Sequence, residues 1–219
     1  MAPRRRDYDR DVRAFLRTNI NSRHPTWGYT IYRTVYTAES EEAWPSIVTK
    51  INEYIRHDIF REIESHKKYY EITHGPLDPS PNEQVWELHK PTIVSDPALY
   101  DGATFEDIRR HWRADVEGRG FAVNDSFTGN NVCLVVDEEV FEMVRDAPSP
   151  AELGRTGKPW IRAVDGAWEA DDADEGYLGV WRVNLDSLWF FWWDCYGPEG
   201  MAEKCPRGSD DPPPYPAYQ

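Results

Sequence analysis

The chain has 219 residues, 40% of them hydrophobic, and a formal net charge of -14. That is enough for one ordinary core and cramped for two, and the charge argues against a generic nucleic-acid coat protein, since phosphate binding relies on a positive surface. Three cysteines, Cys133, Cys195 and Cys205, stand at wide and irregular spacing, which suits a reducing compartment better than a disulfide framework and follows no zinc pattern.

The charge is unevenly spread. Residues 1–33 hold eight Arg against three Asp, a balance of +5, so the remainder carries −19. A basic arm could touch an anion, or it could dock on its own acidic body. The first residues lack the apolar run of a signal peptide, and no stretch approaches the roughly 20 apolar residues of a membrane span. The expectation is a soluble, cytoplasmic protein with a basic flexible arm over 1–25, a single domain over 26–200 and a Pro-rich extended tail over 201–219.

In chain order, a short helix is possible from Asp7 to Ile20 within the arm. Gly28 to Tyr36 is rich in β-branched and aromatic residues and reads as a strand. Next, Trp44, Ile47, Val48, Ile51, Ile55, Ile59 and Ile63 recur at three- and four-residue spacing, which predicts a helix with one buried face, starting near Ser40 or Glu41. Pro45 is tolerable there only if that start lies close to it. After the loop from Gly75 to Asn82, Val85 to His89 and Thr92 to Val94 read as strand segments interrupted at Pro91. Thr104 is a predicted N-cap for a helix presenting Phe105, Ile108 and Trp112 on one face.

Val132 to Asp137 is a predicted strand handing over to a helix from Glu138 to Arg145, with Asp137 placed to cap it. Pro159 to Asp165 and Tyr177 to Val183 suggest a strand pair that widens the sheet. Leu188 to Trp193 is too short to cross a membrane. Alternating strands and helices predict an α/β or α+β fold, a single domain with a central mixed β-sheet packed by helices.

No Walker loop, dinucleotide fingerprint, His-Glu-x-x-His pair or nucleophile elbow is present, so no cofactor is expected. The candidates for chemistry are polar groups near strand ends, where open sheets place their ligand crevice. Arg33 could clamp an anion bidentately or pair with a carboxylate of its own chain. Asp96 before Pro97 could bind a cation or form a turn, and Asp137 could do the same or cap its helix. Ser126 and Thr128 could supply a nucleophilic hydroxyl if a base stood near, or simply belong to a turn. Cys133 lies in an apolar run and reads as an inert buried thiol. His111 could act as acid or base, or sit on a solvated helix face. The Trp-rich run 189–193 could wall a pocket or fill the core.

Taken together, Gly28-Tyr-Thr-Ile-Tyr-Arg-Thr-Val-Tyr36 with Trp44, Leu99 to Ala103 leading into Ile108, Arg109 and Trp112, and Cys133 to Asp137 resemble a family of small fungal hypothetical proteins. That family is similar to the fungal arginine-containing cyclodipeptide synthases. The resemblance covers about residues 27–190 and carries no signature catalytic motif. It implies aminoacyl transfer without metal or nucleotide, from arginyl-tRNA to a second amino acid, closing to a diketopiperazine. Under it the catalytic candidates are Tyr32, Arg33, Ser126 and Thr128. Asp96, Asp137, Trp112 and Trp181 would bind substrate. Arg4, Arg5, Arg6, Arg109, Arg110 and Arg113 would approach the tRNA backbone. Two other classes stay open: a non-enzymatic interaction protein with an acidic, Trp-rich face, and a small-molecule enzyme without a familiar motif. Convergence of Arg33, Asp96 and a hydroxyl in one cleft would speak for an enzyme, and scatter for a binding protein.

Overall fold

The computed structural model describes residues 9–20, 24–74, 76–123, 125–154, 157–171, 176–197, 200–207 and 212–215. Its centre is a mixed sheet of β1 (Thr30–Arg33), β2 (Thr92–Val94), β3 (Val132–Val136), β4 (Trp160–Asp165) and β5 (Val180–Asn184), in the order β2-β1-β3-β4-β5. β1 runs parallel to β2 and to β3, whereas β3–β4 and β4–β5 are antiparallel. The expected α/β single-domain architecture is thus observed.

Side chains alternate across a strand, so each strand feeds two layers. On one face Ile31, Leu134, Ile161, Ala163 and Val183 meet Ile47, Ile51, Ile55 and Ile59 of the long helix α2 (Ala38–His74), together with Val140 and Val144 of α6 (Glu138–Asp146) and the helix α7 (Leu188–Asp194). On the other face Tyr32, Cys133, Val135 and Val164 meet Ile108, Trp112 and Val116 of α5 (Phe105–Gly118). Both parallel connections therefore cross over through helices on opposite faces, as parallel strands require.

Local signals account for most boundaries. Thr104 accepts from the Asp107 amide and Asp107 returns to the Thr104 amide, a capping box that starts α5. Asp137 accepts from the Val140 amide at 2.9 Å and starts α6. α2 begins at Ala38, seven residues before an exposed Pro45, so the proline lies inside the helix rather than beside its start.

Val85 to Glu87 belongs to a helix, α3 (Ser80–Glu87), and not to the expected strand. Asp78 accepts from the Ser80 amide, prolines occupy the first turn, and the buried Pro81, Asn82 and Val85 follow helical rather than alternating spacing. Upstream, α1 (Arg10–Ile20) is docked: Phe15 is buried and lies edge-on to Trp27 and Trp189, at 5.9 and 5.0 Å between ring centroids. Within the expected extended tail, Gly200–Lys204 form a short helix, α8, while residues 212–215 run along the outer edge of β5.

Trp27 pairs with His89 just before β1, and their backbones approach so closely that a Cβ on Gly28 would come within 2.7 Å of the Lys90 carbonyl carbon. Gly28 also holds φ +145°, which side-chain-bearing residues rarely adopt. α4 (Pro97–Tyr100), capped by Asp96, then sets Tyr100 beside the end of β1. Among the described residues, no helix is long and apolar enough to cross a membrane.

Candidate functional site

Most of the charged candidates are engaged inside the fold. Arg33 is 2% exposed. Its Nε donates to the Val35 carbonyl at 2.8 Å, and its Nη2 reaches Ser40 Oγ and Glu41 Oε1, both at 2.9 Å. The Tyr36 and Trp44 rings cover the guanidinium at 4.4 and 5.0 Å. This is the structural ion pair: a cation locked to the start of α2. Asp96 accepts from the Ala98 amide at 2.9 Å, and Asp137 caps α6 and takes Arg162 Nε at 2.5 Å. Thr128 is buried and its hydroxyl donates to the Trp192 carbonyl at 2.8 Å.

The arginines expected to approach tRNA are, where described, engaged within the chain as well. Arg109 is buried and donates to the carbonyls of Asp165 and Gly179 and to Glu106. Arg113 donates to the carbonyls of Gly166 and Trp168 and pairs with Glu169. Both thereby hold the loop after β4 against α5. Arg110 is exposed and pairs with Asp107 at 2.7 Å. Arg4, Arg5 and Arg6 lie outside the described residues. Trp112 fills the core beneath Gly166, and Trp181 donates its indole N–H to the Pro213 carbonyl.

Tyr32 is different, because the fold brings it to a histidine 79 residues away. Its hydroxyl stands 3.1 Å from His111 Nδ1, while the Tyr100 hydroxyl stands 2.7 Å from Nε2 of the same ring. A neutral imidazole donates from one nitrogen and accepts at the other, so His111 can carry a proton between the two phenols. Burial, with Cys133 and Tyr100 beside it, pushes the Tyr32 hydroxyl well above the ordinary tyrosine range, and burial with Asp96 and Tyr36 nearby raises Tyr100. Both phenols stay protonated; one donates to the bare ring nitrogen of His111 and the other accepts from its N–H, according to the tautomer. His111 itself is exposed.

The trio lines neither of two nearby cavities; Asp115, one helical turn beyond His111, lines the smaller. Along α5, His111, Asp115 and Arg119 follow at four-residue intervals and share one face, and Arg119 Nε meets Asp115 Oδ2 at 3.0 Å. Opposite, Thr30 and Thr92 are register partners, two residues before Tyr32 and Val94. Thr30, Thr92, Lys90, Asp115 and Arg119 line a cavity of about 240 Å³. A second cavity of about 480 Å³ adjoins it, lined by Phe121, Asp125, Ser126 and Tyr196. His24 and Phe127 line both, stacked in parallel with centroids 3.7 Å apart.

Asp125 is held in place by the Phe127 amide at 2.7 Å and Asn130 Nδ2 at 2.8 Å. The larger cavity is thus aromatic with one carboxylate and the Ser126 hydroxyl; the smaller is polar, with two cations and one anion. Such a pair suits a ligand that has a flat apolar or cationic end and an anionic end.

Of the residues assigned to chemistry from the sequence, Tyr32 and Ser126 come to this region, whereas Arg33, Asp96, Asp137 and Thr128 are used elsewhere. Tyr100, Asp115, Arg119, Lys90 and His24 went unread as site residues. The four-residue spacing of His111, Asp115 and Arg119 along α5 is a sequence signal for Asp115 and Arg119, and Tyr100, Lys90 and His24 have none. Cys133 is fully buried in an apolar layer, which holds its thiol protonated. Among the described residues, no group of three or more His, Cys, Asp or Glu is placed to hold a metal ion. Comparison of the chain with protein-family models, with curated proteins and with solved structures finds no match in any of the three.

Proposed function

We propose that the chain is an enzyme whose chemistry centres on His111, and that its reaction is the aminoacyl transfer implied by the sequence resemblance: formation of an arginine-containing diketopiperazine from arginyl-tRNA and a second aminoacyl-tRNA. The observation that supports an enzyme is the Tyr32–His111–Tyr100 trio, one helical turn along α5 from the Asp115 that lines a polar cavity. Arg33, Asp96 and the candidate hydroxyls do not converge in one cleft, which by itself favours a binding protein. An exposed imidazole held between two protonated phenols is the feature that outweighs it.

The reaction needs proton carriers and no redox group. The α-amine of one aminoacyl group attacks the ester carbonyl of the other; a C–N bond forms, the C–O ester bond breaks, and the departing tRNA hydroxyl takes a proton. The remaining free amine then attacks the second ester and closes the ring with the same bookkeeping. Both ring nitrogens of His111 are taken by phenols, so the amine's proton passes through one of them: the phenol oxygen takes it as the phenol's own proton moves to the bare nitrogen of His111, and the reverse path returns a proton to the leaving oxygen. Lys90 and Arg119 line the smaller cavity, where a terminal phosphate would approach. The reading places the protein in the cytoplasm with charged tRNA as its partner.

The test is incubation of the full chain with arginyl-tRNA and a pool of other aminoacyl-tRNAs, followed by mass spectrometry for arginine-containing diketopiperazines. Product absent from ribonuclease-treated controls is expected. A blank with intact charged tRNA contradicts the reading and favours the interaction protein.

A further inference from the structure

β5 is an edge strand of the sheet, and such an edge needs a cover. Its cover is Pro212-Pro-Pro-Tyr215. Prolines have no N–H to add to a ladder, and the segment makes only one bridge, Tyr215 beside Val183. It is held instead by side-chain donors. Trp181 Nε1 donates to the Pro213 carbonyl at 2.8 Å, Arg182 Nη2 to the Pro212 carbonyl at 3.1 Å and Asn184 Nδ2 to the Tyr215 carbonyl at 3.0 Å. The Tyr215 amide donates to the Arg182 carbonyl at 2.8 Å.

The Tyr215 ring is 5% exposed, edge-on to Trp181 at 5.3 Å and 5.0 Å from Phe191, and its hydroxyl donates to Asp194. An indole N–H on a proline carbonyl, with an aromatic slot for one further ring, is the chemistry by which folded domains read extended proline-rich segments. The groove also continues past the strap. Beside Pro212 lies a cavity of about 290 Å³ lined by Phe105, Arg162, Leu178 and Val180, where Leu178 is 41% exposed.

We propose that this edge is a receptor groove for a proline-rich, tyrosine-bearing segment of another protein, closed at rest by the chain's own residues 212–215. The strap and an outside segment exchange for the same donors. A partner segment with apolar residues ahead of its prolines would meet Phe105, Leu178 and Val180, where the sequence of a second copy would bring Asp210 and Asp211, which favours an outside partner over a second copy of this chain.

The probe is a fluorescent peptide of residues 209–219, titrated by anisotropy into the full wild-type chain and into full-length Tyr215→Ala. A tethered strap competes at high effective concentration, so the variant is expected to bind the probe at least about tenfold more tightly than wild type. Adding Trp181→Phe, which keeps the ring and removes the donor, is expected to weaken binding again. Pro213→Gly, at an exposed position, loosens the strap independently should Tyr215→Ala fail to fold. No saturable binding to a loosened variant that keeps the wild-type circular dichroism spectrum overturns the proposal, as does equal binding to wild type and variant. Self-association of the wild-type chain that the probe dissolves would overturn the choice of an outside partner.

Discussion

The two faces of the sheet are built to different rules. On the α2 side the aromatic residues are spent on packing: Trp27, Trp189 and Trp192 are at most 1% exposed and lie against one another at 5.0 and 5.4 Å. Even the buried Asp58 of α2 is bonded there, accepting from the Trp189 and Phe190 amides at the start of α7 and pairing with Arg61. On the α5 side the helix covers β3 and β4, and over the β1–β2 edge it presents His111, Asp115 and Arg119 to a floor of threonine and tyrosine. The first face is packed throughout with apolar and aromatic side chains; the second is packed over β3 and β4 and polar at its β1–β2 edge. The abundance of Trp and Tyr in the composition therefore says more about the core than about recognition, and a Trp-rich binding face has no counterpart among the described residues.

That contrast can be broken most severely where α5 meets the sheet. A Cβ on Gly166 would lie 1.7 Å from the Trp112 ring, and Trp112 is buried among Ile108, Val116 and Val135 with no room to retreat. Gly166→Ala is expected to cost about 3 kcal/mol, lowering the thermal midpoint by about 6–12 °C by calorimetry. A shift of a degree or less would mean that α5 is loosely seated.

The packed face should show itself in its pH response. Burial pushes the Asp58 carboxyl from 3.8 up to about 8, against the opposing pull of Arg61 and the Phe190 amide. A carboxyl that keeps its proton longer in the folded chain than in the unfolded one contributes stability that is complete below pH 3.8 and declines as pH rises towards 8. Asp58→Asn is expected to flatten the fall in thermal midpoint between pH 5 and 8. His89, buried between Trp27 and Trp86, has the opposite slope: burial, with Lys90 nearby, lowers it from 6.5 to about 4. Its contribution is lost as pH falls from 6.5 to 4, so His89→Gln should flatten the acid limb. Unaltered pH profiles in both variants would show that these groups are solvated.

The smallest effect is expected at Arg110, whose pair with Asp107 is exposed. Arg110→Ala should change stability by less than about 0.5 kcal/mol in urea titration, whereas loss of Arg109 from its buried carbonyl partners should cost several times more. Equal costs would remove the distinction between the solvated and the seated side of α5.

Much of the architecture was legible because its causes are local. Thr104 and Asp137 stand immediately before the helices they cap, and the spacing of Ile47, Ile51, Ile55 and Ile59 is a property of the sequence alone. The segment Val85 to His89 reads as a strand because a short apolar run does not choose between strand and helix by period; the Asp78 turn onto the Ser80 amide and the prolines at the start of α3 decide it. The site was far less legible. Arg33 in a strand reads either as an anion clamp or as half of an internal ion pair, and the pair is what forms, with Ser40 and Glu41 within eight residues. Tyr32 carries no such signal of its own, because its meaning depends on His111 and Tyr100, which only the folded crossover from β2 to β3 brings beside β1.

The most direct measurement is the rate of diketopiperazine formation by full-length His111→Ala beside wild type, with folding of both checked by circular dichroism. Removal of a proton carrier is expected to lower the rate by about 10²–10⁴-fold while leaving the fold intact, since His111 is exposed. A folded variant that forms product at the wild-type rate, or a wild-type chain that forms none from intact charged tRNA, would contradict the assignment of the chemistry to the α5 face.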